Sequence, residues 1–334
     1  MTEKFTLSAR EKLEFRHNLA GLNESTISAY KGLASHFYES RLEGMSLTPK
    51  LIADALKKAS DEYRPGYWRK LRNALMYDQI EKGYFEAALR IKKTKNPLTI
   101  KPRETGTGTI KSKQKRCKSI NDTDLEKLYS AALSKPDFEL ASALAISMYT
   151  GCRPAEMTGI RRVGLDQVFI EGAKKSKGTR GLDRTITLSE KECETVEAAA
   201  ATLYHAESGI SSTMHKVQSR LDRLTKKLWP KRKVKPTLYT LRHQLGSDLK
   251  AGFIDEDEKR HTMSRVEIAY VMGHQSTESI EIYGNRRSGK GTSKSRVKPA
   301  PGADLSVIRE KHNLVPGPKA KSVKRSHKAP SFDR

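Results

Sequence analysis

Apolar positions in the first part of the chain recur at three- and four-residue intervals, the period of helices with one buried face. Residues 1 to about 21 have a mixed pattern, with Leu13, Phe15 and Leu19 at helical spacing. Asn23-Glu24-Ser25-Thr26 predicts a helix start, and Ile27, Tyr30, Leu33, Phe37 and Leu42 mark one face down to Gly44. A second helix is expected from Thr48-Pro49, where proline suits a first turn, through Leu51, Ile52, Ala55 and Leu56. A third runs from about Pro65 to Lys82 through Trp68, Leu71, Leu75 and Ile80, and a fourth from Tyr84 to about Lys92. Together they make a helical module over residues 22–93, preceded by an extension over 1–21.

The pattern then breaks. Lys92 to Lys118 is rich in Lys, Thr, Gly and Pro, with ten Lys/Arg opposed by Glu104 alone, so residues 94–118 read as a basic linker. Its Thr105-Gly106-Thr107-Gly108 stretch lacks the following Gly-Lys-Ser/Thr of a phosphate loop.

A second domain is expected over 119–290. Asn121 or Thr123 caps a helix with acidic residues in its first turn, and an apolar helix follows from about Asp137 to Thr150, ending at Gly151. Pro154 restarts a helix, leaving Arg153 at the break. Val168-Phe169-Ile170 and Arg184-Thr185-Ile186-Thr187-Leu188 read as a β-hairpin with a long basic tip. Helices are expected over Glu190–His205, Ser212–Trp229 and Leu241–Lys250, then an acidic loop over Phe253–Met263. Ser264 and Glu267 form a capping box for a helix through Met272, which Gly273 ends, and Ser276 or Thr277 caps a short helix carrying Tyr283. Residues 291–334 read as a basic tail, with a short helix expected over Ala303–Leu314. No internal repeat is visible. The fold class expected is mainly α with a small antiparallel β-hairpin or sheet.

Charge changes the picture more than composition does. The 334 residues carry a net charge of +25, which favours a polyanionic partner, nucleic acid first. Residues 284–334 hold 14 Lys/Arg against 3 Asp/Glu, so +14 of the total lies elsewhere. No apolar run is long enough to span a bilayer, and the N-terminus lacks the apolar stretch of a signal peptide, so a cytoplasmic protein without membrane contact is expected. Cys117, Cys152 and Cys193 are scattered and odd in number, as reduced thiols are, and no His, Cys or carboxylate group has the spacing of a metal site.

The candidate chemistry lies between Arg153 and Tyr283. Attack on a phosphodiester adds negative charge to its equatorial oxygens, so the protein must supply fixed cations and protonate the departing oxygen. Arg153 and Arg242 offer guanidinium forks, His274 a further donor and Tyr283 a phenol nucleophile. Lys174 on the hairpin tip could protonate the leaving hydroxyl, and Lys175 and Lys177 compete for that part. Taken singly, each has an ordinary structural use: Arg153 as an ion pair to Glu156, His274 as a cap, Tyr283 as a half-buried aromatic. Their joint order is what points to chemistry.

Gly151-Cys152-Arg153-Pro154-Ala155-Glu156-Met157, Tyr239-Thr240-Leu241-Arg242-His243, Gly273-His274 and Tyr283 together resemble the conserved boxes of the tyrosine recombinase (integrase) family. The resemblance covers roughly residues 22–290. It implies a helical core-binding domain and an α+β catalytic domain, a 3′-phosphotyrosine intermediate, and neither metal nor cofactor. The partners implied are double-stranded DNA, a homotetramer on paired sites and accessory DNA-bending proteins. One departure is Tyr239, where the family usually has histidine or lysine; a phenol with a pKa of about 10 can donate to phosphate but is a poor base near neutral pH. His243 is expected to be a buried residue that positions its helix. The competing function is a DNA-binding accessory protein that keeps the fold without cutting; a topoisomerase is disfavoured by the chain's small size and the core-binding module. The resemblance also implies that the Ala303–Leu314 segment docks on a neighbouring protomer and regulates cleavage in trans.

Overall fold

The computed structural model describes residues 8, 21–100, 110, 115–173, 181–206, 210–254, 259–290 and 297–310. Contacts divide the chain into two units, Met1–Gln114 and Lys115–Arg334.

The first unit is helical: α1 (Glu24–Leu42), α2 (Pro49–Lys58), α3 (Pro65–Glu81) and α4 (Phe85–Lys93). The first three starts have local causes. Asn23 accepts from Thr26 N–H at 2.8 Å, Thr48 accepts from Leu51 N–H at 3.2 Å, and prolines open α2 and α3. Phe37, Ile52, Leu56, Trp68, Leu71, Leu75 and Ile91 form the core. The indole of Trp68 donates to Leu56 O at 2.7 Å, which fixes its orientation. Beyond α4 the chain makes a 3-10 turn, Pro97–Thr99, and buries Leu98.

The second unit packs α5 (Asp122–Leu133), α6 (Phe138–Thr150), α7 (Glu190–Tyr204), α8 (Ile210–Leu228), α9 (Leu238–Ala251) and α10 (Arg265–Val271) around an antiparallel sheet. Its strands are β1 (Ile160–Arg162), β2 (Gln167–Ile170), β3 (Arg184–Thr187) and β6 (Lys298–Pro299), in that order across the sheet. Val168 faces Ile186 and Ile170 faces Arg184 across the expected hairpin. Helix α6 is buried along much of its length, as its apolar sequence requires. The apolar face of α8 places Val217 and Leu221 in the core, while Arg220 pairs with Asp137 and Glu139 rather than turning to solvent.

Three expectations change. The expected acidic loop over Phe253–Met263 has paired flanks, β4 (Phe253–Ile254) and β5 (Arg260–His261). Tyr283 follows a 3-10 turn, Thr277–Glu281 capped by Ser276, rather than riding on the helix itself. The short helix expected over Ala303–Leu314 is, among the described residues, only a 3-10 turn, and Val297–Glu310 packs against its own unit. There β6 joins the edge of β3, and Val297, Ala300 and Ile308 are buried. Asp304 caps only the 3-10 turn Leu305–Val307, because the flanking residues are held extended: Ala300 N–H donates to Thr185 O and Arg309 N–H to Gln275 O. Ile308→Ala should therefore destabilise the unit by about 2–5 kcal/mol, whereas Val307→Ala at an exposed position should change stability by about 0.5 kcal/mol or less, as chemical denaturation will measure.

Candidate functional site

Two of the helix ends that carry left-handed glycines face arginines. Gly151, at φ +57°, closes α6, and a Cβ there would lie 2.5 Å from Leu245 Cδ2. Gly273, at φ +63°, follows α10, and a Cβ there would meet the Arg184 guanidinium. Carbonyls at a helix C-terminus have no partner within the helix and carry partial negative charge. Here guanidinium groups satisfy them. Arg242, with no exposed surface, donates to Gly151 O and Met272 O at 2.5 Å each, and Arg153 donates to Gly273 O at 3.1 Å.

Glu156 is the carboxylate of the cluster. It accepts from Arg153 Nη1 at 2.5 Å, from Arg153 N–H at 2.9 Å and from Arg184 Nη2 at 3.1 Å. Burial alone would raise its pKa, but Arg184 and Arg153 more than offset that and hold it at about 2. Arg184 is itself fully buried and donates to Val271 O at 2.8 Å. One carboxylate thus pairs with two of three clustered guanidinium groups, and the centre keeps excess positive charge. Burial, then the neighbouring Arg153 charge, pulls Arg242 down to about 10, which leaves it charged at neutral pH.

His274 is 3% exposed, and its Nε2 lies 2.8 Å from Arg242 Nη2. Arginine has only donors, so Nε2 accepts and the neutral ring carries its proton on Nδ1. That Nδ1 is buried without a hydrogen-bond partner, as is Arg242 Nε. Burial, then the charges of Arg242, Arg153 and Arg184, lower His274 to about 2, so it stays neutral. The site therefore presents donors with no acceptor of their own, which suits an oxyanion.

Tyr283 lies over this cluster. Its ring centroid is 4.9 Å from the Arg242 guanidinium carbon, 5.1 Å from the His274 ring and 4.9 Å from His243, on which it stacks. The backbone around it is fastened to one face of α9. Gly284 N–H points at His243 Nδ1 at 3.4 Å, Asn285 N–H donates to Ser247 Oγ at 2.9 Å, and Lys250 Nζ donates to Ile280 O, Tyr283 O and Gly284 O at 2.6, 2.6 and 3.1 Å.

The structure brings Arg153, Arg242, His274 and Tyr283 together. Tyr239 sits in the first turn of α9, 37% exposed, three residues before Arg242. Lys174, Lys175 and Lys177 lie outside the described residues. His243 is buried as expected, and it also supports the Tyr283 ring. Arg184 and Lys250 were not anticipated. Arg184 reads in the sequence as one more strand residue, and its only signal is a charge at a position where the strand pattern asks for an inward side chain. Lys250 reads as an ordinary cation in the last turn of a helix. Among the described residues no group of three or more His, Cys, Asp or Glu is placed to hold a metal ion, and no helix is long and apolar enough to cross a membrane.

Neither family models nor curated proteins match the chain. Solved structures do. A lambda integrase dimer bound to a COC′ core site is 18% identical with a TM-score of 0.52, over 86% of this chain and 80% of that one. A lambda integrase tetramer bound to a Holliday junction is 18% identical at 0.51, over 81% and 79%. The Tn1549 transposon integrase in complex with a circular intermediate DNA is 16% identical at 0.50, over 81% and 92%. At such identities the likeness establishes the fold, which is that of these enzymes.

Two outcomes are expected. His274 and His243 are both lowered by burial, so unfolding must protonate them; stability is full above about pH 6.5 and is lost as pH falls from there towards the lowered folded values. Thermal midpoints across pH 4–8 should show that loss, as an order-of-magnitude trend, and His274→Gln should flatten it. Lys250→Met leaves three carbonyls without their donor and should cost roughly 1–3 kcal/mol, with faster hydrogen exchange over 280–285 and no change in α6.

Proposed function

We propose that this chain, whose fold is that of the tyrosine recombinases, is a site-specific DNA recombinase that cuts and rejoins duplexes through a phosphotyrosine. The observation that carries the proposal is the buried excess of positive charge directly beneath the Tyr283 ring. In the proposed reaction Arg153 and Arg242 hold the non-bridging oxygens of the scissile phosphate, and the His274 Nδ1–H donates to one of them. The Tyr283 oxygen attacks phosphorus as the bond to the 5′ oxygen breaks, giving a 3′-phosphotyrosine and a 5′-hydroxyl.

The phenol proton passes to solvent, because His274 Nε2 is engaged with Arg242 and Tyr239 is a phenol. The leaving oxygen takes a proton from a hairpin lysine, Lys174 or its neighbours Lys175 and Lys177. Attack by a 5′-hydroxyl from a partner duplex reverses the chemistry, so the bond energy is retained without a cofactor. Paired sites held by a homotetramer agree with the DNA-bound dimer and tetramer among the structural neighbours.

The test is covalent trapping on nicked duplexes taken from the DNA flanking the protein's own gene. Wild type should leave an adduct on a denaturing gel, Tyr283→Phe should bind equally well and leave none, and Arg153→Ala should cleave about 10²–10³-fold more slowly. Tight binding of one duplex by both wild type and Tyr283→Phe, with no adduct from either, would instead favour the non-cutting accessory protein.

A further inference from the structure

In the helical unit a cleft of about 350 Å³ lies between the first half of α3 and the segment after α4. Arg69, Arg72 and Lys95 line it, and among the described residues no acidic side chain does. Among the described residues none of the three has an ion-pair partner. Asn96, 5% exposed, also lines it. Its Oδ1 accepts from Leu98 N–H at 3.0 Å, but its Nδ2 is buried with no acceptor. Arg72 lies with its guanidinium carbon 5.8 Å from the Trp68 ring centroid, and its Nε too is buried without an acceptor.

A buried donor left without a partner costs about 1–3 kcal/mol, and native structures keep few of them. Two residues that line one cleft each carry such a donor, and both donors lack the same thing, an acceptor. Burial and then the Arg69 charge lower the Arg72 pKa, so the free cleft penalises its own cation and an anion would relieve it. The cleft is larger than a lone ion needs, and Trp68 and Ile100 give it apolar walls that suit a sugar. The ten-cation stretch Lys92–Lys118 overlaps this same segment.

We propose that the cleft is a phosphate subsite that takes one backbone phosphate of bound duplex DNA, with Arg72 and Asn96 as its donors. The subsite rests on the DNA-binding part of the proposed function and is independent of cleavage.

The test uses the full chain carrying Tyr283→Phe, so that no cutting intervenes, and follows binding to duplexes of unrelated sequence by anisotropy across a salt series. Arg72→Gln should bind every duplex at least about tenfold more weakly, with a salt slope shallower by about 0.9. Asn96→Asp keeps the acceptor for Leu98 N–H and hence the local fold, while placing a carboxylate in the cleft; it should weaken binding in the same uniform way. A folded Asn96→Asp protein with unchanged affinity and slope would overturn the subsite, even if Arg72→Gln does not fold.

In a second arm inorganic phosphate alone is added and the thermal midpoint followed. A stabilisation that both variants lose, with the duplex slope unchanged, would assign the cleft to free phosphate and overturn the DNA-backbone assignment. Failure of the parent protein to bind any duplex would overturn the proposed function along with the subsite. Equal binding by parent and variants would overturn the subsite alone.

Discussion

Buried guanidinium groups in this protein are held largely by helix ends. A carboxylate opposite each arginine would cancel its charge, whereas a backbone carbonyl satisfies the hydrogen-bonding geometry and leaves the formal charge in place. Gly151, Met272 and Gly273 supply those carbonyls, and among the described residues Glu156 alone supplies a compensating ion to Arg153 and Arg184. The surrounding fold follows from keeping two helix ends and one strand within reach of each other. α6 and α10 must stop where they do, on residues that tolerate a left-handed turn, and β3 must bring Arg184 inward. A buried charge of this kind is costly without an anion, which is why it belongs to a site rather than to a core.

Helix α9 carries the rest of that burden. It buries Thr240, Arg242, His243, Gln244, Ser247 and Asp248, a run of polar residues that a purely structural helix would not hide. Each has an identified partner. Thr240 donates to Cys117 O and Gln244 accepts from Ile120 N–H, which fixes the entry of the chain into the unit; Ser247 and Asp248 accept from the backbone of Asn285 and Lys290, which fixes the segment after Tyr283. The same helix thus aims the arginine and anchors both flanking segments. Side chains buried along this helix thus also set the position of the phenol.

The helices were legible because their causes are local. Asn23, Thr48, Asn121, Ser189 and Ser264 each accept from a backbone N–H two or three positions into the helix they begin, so a short window of sequence contains the whole signal. Arg153, Arg242, His274 and Tyr283 were legible as a set, through their order along the chain, and the fold places them side by side. What escaped was what depends on distant partners. Arg184 pairs with a glutamate 28 positions earlier, and nothing near it in sequence says so. β1 holds three residues, two of them arginine, and β6 contains Pro299, which is acceptable only because it lies on the sheet edge. Lys250 gained its role from a turn thirty residues on, whose carbonyls no pattern of side chains reveals.

The strand that closes the sheet also reaches the site. After Ile308 the chain pairs with Ser276, where Arg309 N–H donates to Gln275 O and Thr277 N–H donates to Arg309 O. Gln275 follows His274 directly, and Thr277 begins the turn that leads to Tyr283. A load applied to the downstream tail, by a fused tag or a surface tether, would therefore pull on the backbone between imidazole and phenol before it strained any core element. Anyone immobilising this protein should attach it through the helical unit instead.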